Sequence, residues 1–301
     1  MSNQKRRLPF VQVDVFTSVP LEGNQLAVFA DGTGLSDAEM QSIAKEMNLS
    51  ETTFILPRDA ATERERGVRV RIFTVNEELP FAGHPTLGTA MFLRNNAAHG
   101  DSGPEEVALD LNVGRIPVRF STRDGLPFGM MTQRDPEFKE THTREDIARA
   151  AGLAVDDLAS DVPIQTVSTG NAFIMVPVRS LPVLQNLSPA WTNLKSYIEK
   201  TSARFFYFIS REAVNPEARL QSRMIFYNGE DPATGSAAGP CAAWAVKYGV
   251  VPPDQQTLME QGVEMKRRSR IFFSASRKGD QIVNVRVGGH AVEVVRAELF
   301  L

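Results

Sequence analysis

Two segments of the chain start with a titratable side chain and continue with similar small residues. Residues 84–90 read His-Pro-Thr-Leu-Gly-Thr-Ala, and residues 231–237 read Asp-Pro-Ala-Thr-Gly-Ser-Ala. Their starts lie 147 residues apart (231 − 84), close to half of the 301-residue chain. Proline suits the first turn of a helix, and amides at a helix N-terminus bind carboxylates. The segments therefore predict two helix starts that hold a small carboxylic acid.

The exchange of a histidine for an aspartate between the two segments indicates acid–base chemistry. An imidazole and a carboxylate differ in proton affinity, so His84 and Asp231 suit different roles in one asymmetric reaction. Either segment alone is more often a place of close packing than of function. Their recurrence at half the chain length, with a titratable residue leading each time, favours a functional pair.

The elements that must position these residues follow from local patterns. Ser36 and Glu39 form a capping box, which predicts a helix that ends near Asn48. The next apolar and β-branched run begins at Glu51, which places this carboxylate at the mouth of a predicted strand. Its neighbours Leu49 and Phe54 are expected to desolvate it, and desolvation raises the pKa of a carboxyl group.

Strand-like runs outnumber helical ones along the chain. Strands are predicted at residues 10–16, 25–29, 51–56, 68–72, 116–120, 172–178, 204–209, 224–227, 271–273 and 292–295. Further helices are predicted to begin near Thr143 and at Ser188-Pro189, with serine as the N-cap and proline as the first helical residue. This balance favours an α+β fold in each half over a doubly wound parallel sheet.

Composition indicates a soluble globular protein. Hydrophobic residues make up 42% of the chain and charged residues 23%, with a net charge of −3, so nothing attracts it to nucleic acid or an anionic membrane. Cys241 is the single cysteine, which rules out an intramolecular disulfide and predicts a reducing, cytoplasmic location. No run approaches the roughly 20 apolar residues of a transmembrane helix. The basic cluster at residues 266–270 is interpreted as a solvated edge.

Several kinds of site have no counterpart in the sequence. The four histidines show no paired metal-ligand spacing, and no glycine-rich nucleotide fingerprint occurs, so we expect neither a metal nor a cofactor. Ser236 lies in Thr-Gly-Ser-Ala-Ala, which is not a nucleophile elbow. Trp191 and Trp244 stand in helical patterns and are interpreted as core residues.

Three longer strings resemble one known family. EMNLSETTF (46–54), ELPFAGHPTLGTA (78–90) and EDPATGSAAGP (230–240), in this order, are similar to the PhzF-like family of phenazine biosynthesis, and the likeness spans essentially the whole chain. The resemblance implies two similar domains, each a curved mixed sheet around a central helix as in diaminopimelate epimerases. We place them at residues 1–122 and 123–290, with strand 291–301 a candidate to return to the first. The resemblance also implies an active site between the domains, catalysis without a cofactor and a homodimer.

The resemblance also implies a role for each matching residue. In the phenazine enzyme of this family, a glutamate moves a proton between carbons of dihydro-hydroxyanthranilic acid, and Glu51 matches its place. His84 and Asp231 would be the assisting polar pair. The residues implied to line the substrate pocket are Asn24, Ser50, Gly83, Thr234, Gly235 and Ser236.

Departures from related proteins leave the substrate open. Diaminopimelate epimerases use two opposed cysteines, and a chain with Cys241 alone cannot do so. Residues 261–269 read Gln-Gly-Val-Glu-Met-Lys-Arg-Arg-Ser where many relatives have Gly-Arg-Pro-Ser. We predict a cofactor-independent isomerase or epimerase acting on a small carboxylic acid. The alternatives are an amino-acid racemase with Glu51 and Asp231 as its two bases, and a non-catalytic protein that binds a small molecule or a partner.

Overall fold

The computed structural model describes residues 6–97, 103–227 and 229–301. The chain divides into two compact units, Met1–Met131 with Gly288–Leu301, and Thr132–Val287. Each unit mixes helices with a sheet that has both parallel and antiparallel strands, so the predicted α+β class is confirmed. Among the described residues, no helix is both long enough and apolar enough to cross a bilayer.

The sheet of the first unit combines eight strands from its N-terminal segment with one strand from residues 288–301. Its strands are β1 (Arg7–Val15), β2 (Asn24–Phe29), β3 (Glu51–Leu56), β4 (Val68–Phe73), β5 (Glu78–Leu79), β6 (Glu106–Leu111), β7 (Gly114–Arg123), β8 (Leu126–Thr132) and β18 (Ala291–Phe300). Neighbouring strands pair in the order β18, β1, β2, β3, β4, β6, β7 and β8, and β5 pairs with one end of β4. The β2–β3 and β4–β6 pairs are parallel, and the others are antiparallel.

One buried helix packs against this sheet. The helices of the unit are α1 (Asp37–Met47), α2 (Ala60–Arg66) and α3 (Gly83–Asn96). Residues 83–91 of α3 are all buried, and the helix contacts β1, β2, β3, β6 and β18. A Cβ atom at Gly88 would lie 2.7 Å from side-chain carbons of Val15 and Leu26. Glycine therefore allows α3 to approach the sheet closely enough to bury its first two turns.

The second unit repeats this order of strands. Its elements are β9 (Glu137–His142), α4 (Arg144–Ala151), β10 (Ile164–Ser168), β11 (Ala172–Pro177), α5 (Leu181–Gln185), α6 (Trp191–Ile198), β12 (Phe205–Ser210), β13 (Leu220–Phe226), β14 (Gly229–Asp231), α7 (Gly235–Lys247), β15 (Thr257–Gln261), β16 (Ser269–Lys278) and β17 (Gln281–Gly289). The pairing order is β9, β10, β11, β12, β13, β15 and β16, with β14 on β13. As in the first unit, two pairs are parallel: β11–β12, which corresponds to β2–β3, and β13–β15, which corresponds to β4–β6.

Helix α7 is the central helix of the second unit, and it contacts β10, β11 and β16. Cys241 and Trp244 on this helix are fully buried, and for Trp244 this confirms the interpretation as a core residue. Burial raises the pKa of the Cys241 thiol, so it stays protonated. Trp191 is only half-buried and packs at the margin of a separate core between α4, α5, α6 and the sheet.

The predicted start of α6 is wrong by two residues. The helix begins at Trp191 with Ala190 as its N-cap, so Pro189 precedes it. The carbonyl of Ala190 accepts the amide hydrogens of Asn193 and Leu194, and Leu194 is fully buried. Burial of that face selects the helix start over the local preference of Ser188-Pro189. The predicted starts at Ser36 and Thr143 are correct, since both residues cap their helices.

Candidate active site

Glu51 is the first residue of β3. Helix α1 ends at Met47, and the left-handed backbone of its C-cap Asn48 (φ 52°) turns the chain toward the strand. Glu51 pairs with Leu26 across the parallel β2–β3 ladder. Its side chain is 16% exposed, and the carboxylate oxygen Oε2 is buried.

His84 is the second residue of α3, and its ring is buried. The ring atom Nδ1 lies 3.2 Å from Nδ2 of Asn24, and Nε2 lies 3.4 Å from Oε2 of Glu51. Asn24 begins β2 directly after Gly23, where φ is +69° and a Cβ atom would lie 2.4 Å from the carbonyl oxygen of Val15. Only glycine fits this turn, and the turn presents Asn24 to His84. Three residues predicted from the sequence are thus brought together in a row.

The imidazole in this row is neutral at physiological pH. Burial lowers the pKa of His84 to about 3, and a hydrogen bond with the backbone of Gln25 opposes this shift without cancelling it. A neutral ring carries one N–H group and one acceptor nitrogen. His84 therefore suits polarising and orienting roles, and it does not place a positive charge beside Glu51.

The low pKa of His84 predicts acid sensitivity of the fold. This histidine binds a proton near pH 6.5 in the unfolded chain but only near pH 3 in the folded protein. The stability that comes from its neutral form is therefore fully present above pH 6.5 and is lost as the pH falls toward 3. We expect the difference in unfolding free energy between wild type and His84→Gln to shrink from pH 7 to pH 4.5. Urea denaturation at both pH values measures it. The contributions of the other histidines to the pH dependence are the same in both proteins and cancel. A difference in unfolding free energy that is the same at pH 7 and pH 4.5 would contradict a buried neutral His84.

Asp231 occupies a different local position from His84. It is the last residue of β14, and α7 begins only at Gly235 with Thr234 as its N-cap. Pro85 is the third residue of α3, whereas Pro232 precedes its helix. The expectation that both prolines stand at helix starts is therefore wrong for the second segment.

A buried glutamine explains the delayed start of α7. The amide group of Gln261 donates from Nε2 to the carbonyl of Asp231 (2.8 Å) and accepts at Oε1 from the backbone N–H of Thr234 (3.1 Å). It therefore clamps both ends of a turn at residues 231–234. Oγ1 of Thr234 donates to Oδ2 of Asp231 at 2.5 Å. The turn holds the Asp231 carboxylate, which is 8% exposed, in one orientation.

A matching ion pair precedes the central helix in each unit. Arg71 binds Glu78 through Nε (2.8 Å) and Nη2 (2.5 Å), and Arg223 binds Glu230 through Nε (2.9 Å) and Nη2 (2.6 Å). Each pair links the two strands of a hairpin, β4–β5 or β13–β14. The pairs lie 152 residues apart (223 − 71 and 230 − 78), as do the first residues of α3 and α7.

This spacing corrects the correspondence suggested by the two short segments. With an offset of 152, His84 corresponds to Ser236 and Asp231 to Leu79. The two titratable residues are therefore not equivalents within the internal repeat. An arginine seven residues before a glutamate, repeated at one offset, is the sequence signal that identifies the correct alignment.

The predicted site residues fall into one group in each unit. Glu51, His84, Asn24, Ser50 and Gly83 belong to the first unit, with Ser50 directly before β3 and Gly83 opening α3. Asp231, Thr234, Gly235 and Ser236 belong to the second, at the end of β14 and the start of α7. Within the described part of the chain, no group of three or more His, Cys, Asp or Glu side chains could hold a metal ion.

Known proteins are similar to this chain over nearly its full length. Residues 13–297 match the family of phenazine biosynthesis-like proteins (PhzC-PhzF). An uncharacterised isomerase from Mesorhizobium japonicum is 36% identical over 97% of this chain and 98% of its own. The trans-2,3-dihydro-3-hydroxyanthranilate isomerase of Pseudomonas chlororaphis is 36% identical over 97% of this chain and 99% of its own. A crystal structure of a PhzF-family protein from Bacillus anthracis superposes with a TM-score of 0.88 at 26% identity, covering 98% of this chain and 100% of that one.

Proposed function

The chain belongs to the phenazine biosynthesis-like family and is an isomerase, and we propose that it moves a proton between carbons of a small carboxylic acid without a cofactor. The row formed by Glu51, His84 and Asn24 supports this proposal best. It combines a partly exposed carboxylate with a buried neutral imidazole 3.4 Å away. One carboxylate that first accepts a proton from carbon and then returns it to another carbon needs such an environment.

The neutral imidazole acts through Glu51 in this mechanism. Nε2 of His84 lies 3.4 Å from Oε2 of Glu51, and no hydrogen bond joins these two atoms in the structure. We propose that the ring turns a proton on Nε2 toward Glu51 when substrate binds. That proton stabilises the carboxylate before proton abstraction and orients the acid afterwards. Burial keeps His84 from taking the proton for itself, because a charged ring would be desolvated. Glu51 is therefore the shuttle, and His84 and Asn24 set its geometry.

The substrate class follows from the family and from the start of each central helix. Gly83 and Gly235 open α3 and α7, and free amides at such positions bind a carboxylate or a developing enolate. We propose a cyclic amino carboxylic acid, with trans-2,3-dihydro-3-hydroxyanthranilate as the first candidate, since that compound is named for the Pseudomonas chlororaphis relative. Asp231 is proposed to assist as the second polar side chain.

Proton NMR in deuterium oxide tests the reaction class. We expect the purified protein to introduce solvent deuterium into trans-2,3-dihydro-3-hydroxyanthranilate or another member of a panel of cyclic and amino acids. Exchange confined to the α-carbon of an amino acid would instead support a racemase. Compounds that bind in saturation-transfer experiments without any exchange would contradict the proposal and support a binding protein.

The family resemblance and composition also support proposals about the assembly. We propose a homodimer, tested by light scattering on the purified protein, where a mass near 33.2 kDa would contradict it. The single buried thiol of Cys241 suits a reducing compartment, and we propose a cytoplasmic location. Fractionation of cells that express a tagged chain tests the second proposal.

A further inference from the structure

A chain of buried hydrogen bonds in the second unit leads to Asp231. The hydroxyl of Tyr207 lies 2.7 Å from Oγ of Ser222 and donates to Oε1 of Gln261 at 2.9 Å. Gln261 in turn contacts Thr234, which contacts Asp231. Tyr207, Ser222 and Gln261 are fully buried. Burial raises the pKa of the Tyr207 phenol, which therefore keeps its proton and remains a donor.

Backbone partners fix the orientation of the Gln261 amide. The N–H of Thr234 can only donate, so the Gln261 atom it contacts is the oxygen. The carbonyl of Asp231 can only accept, so the atom it contacts is the amide nitrogen. That nitrogen also donates to Oγ1 of Thr234 at 2.9 Å. Because Oγ1 accepts from that nitrogen, the hydroxyl proton of Thr234 stays available for Asp231, and it is donated to Oδ2 at 2.5 Å.

The first unit lacks this chain at the corresponding register positions. Ser222 pairs with Gln261 in the parallel β13–β15 ladder. The parallel β4–β6 ladder pairs Arg69 with Asp110, and one residue further along both strands are apolar, Val70 and Leu111. The repeated architecture thus forms with apolar side chains at the positions of Ser222 and Gln261, while Thr53 stands at the position of Tyr207. The buried polar chain is therefore not a requirement of the fold, and it occurs in the unit that carries Asp231.

We propose that Gln261 is a positioning residue that holds Asp231 as an ionised hydrogen-bond acceptor, with Tyr207 fixing the amide of Gln261. This inference rests on the proposed function, in which Asp231 faces substrate. A carboxylate held as an acceptor recognises an N–H or O–H donor, so Asp231 binds an ammonium or hydroxyl group of the substrate or accepts a proton from it. It does not serve as the acid that donates one.

The titration of Asp231 tests this inference independently of turnover. Carbon-13 NMR of the aspartate carboxyl groups, assigned with Asp231→Asn, follows Asp231 in wild type and in Gln261→Leu, which introduces the residue type of Leu111. Without Gln261, the Thr234 hydroxyl is free to turn away, and Asp231 should titrate at higher pH than in wild type. If the enzyme is active, the acid limb of its kcat/KM profile should also move to higher pH in Gln261→Leu. At pH values below that limb, kcat/KM should be lower than in wild type by about tenfold or more.

Three variants separate positioning from simple destabilisation. Thr234→Val should raise the titration pH of Asp231 as Gln261→Leu does, and it serves as the test if Gln261→Leu fails to fold. Thr234→Ser keeps the hydroxyl and should titrate like wild type. Gln165→Leu removes another buried amide, which donates to the carbonyl of Lys139, and should leave the Asp231 titration unchanged. An unchanged titration in Gln261→Leu and Thr234→Val would overturn the inference. Absence of deuterium exchange by wild type would overturn only the proposed function.

Discussion

Glu51→Gln is expected to lower the rate of deuterium exchange by about 10²- to 10⁴-fold and to leave substrate affinity nearly unchanged. Glutamine has the shape of glutamate but cannot accept a proton from carbon. Its amide can still contact Nε2 of His84, which lies 3.4 Å from Oε2 in the wild type, so the site should keep its shape. NMR in deuterium oxide measures the rate, and a titration followed by saturation transfer measures affinity.

A glutamate on the preceding helix supplies the matched control for this experiment. Glu46 lies on α1, five residues before Glu51, and its side chain is exposed. Glu46→Gln makes the same chemical change and should exchange at the wild-type rate. If Glu51→Gln exchanged as fast as Glu46→Gln, Glu51 would not be the shuttle, and the carboxylate of Asp231 would be the next candidate.

Arg223→Met is expected to lower the free energy of unfolding by about 3–5 kcal/mol. The guanidinium is 9% exposed, binds Glu230 in a bidentate pair and also donates to the carbonyls of Leu184 and Leu187. Methionine fills much of the volume but leaves Glu230 and three carbonyl oxygens, that of Gln185 included, without their donor. Burial also raises the pKa of Glu264, whose Oε2 is 3.9 Å from Arg223, and this carboxyl loses its nearby positive charge as well.

Urea denaturation of Arg223→Met beside Arg270→Met tests this expectation. Arg270 pairs with Glu217 at 2.7 Å, but the two side chains are 43% and 68% exposed. Pairs of this kind contribute about 0–1 kcal/mol, so Arg270→Met should be nearly neutral. A similar small loss in both variants would show that the Arg223 pair does not anchor the β13–β14 hairpin. A large loss would establish that this hairpin, which ends in Asp231, depends on Arg223.

Local rules in the sequence predict the surroundings of Glu51. The capping box at Ser36 and Glu39 forms as expected, and α1 ends near Asn48 as expected. Both features depend on neighbouring residues alone, so no knowledge of the tertiary fold is needed. The strand that follows then begins at Glu51. The approach of His84 to Glu51 depends on the packing of α3 against the sheet, which local patterns do not predict. The family resemblance, and not a local pattern, placed these two residues in one site.

The second segment shows where sequence patterns mislead. Matching the letters of residues 84–90 to 231–237 aligned His84 with Asp231, although one lies in a helix and the other ends a strand. Proline and glycine occur in both turns and helix starts, so a short pattern of them does not specify the backbone. The side chain that sets the second turn, Gln261, lies 27 residues beyond Thr234. Only the tertiary fold brings the two together.

The pairing of β1 with β18 has a consequence for folding during synthesis on the ribosome. These strands pair along their length, and Arg6 and Leu301 exchange backbone hydrogen bonds at the two ends of the chain. Residues 132–287 leave the ribosome before residues 288–301, so the second unit can fold while the first still lacks a strand. Until residues 291–300 have been made, β1 keeps an open edge that can pair with other chains. A premature stop codon near residue 288 would leave that edge open permanently and should promote aggregation.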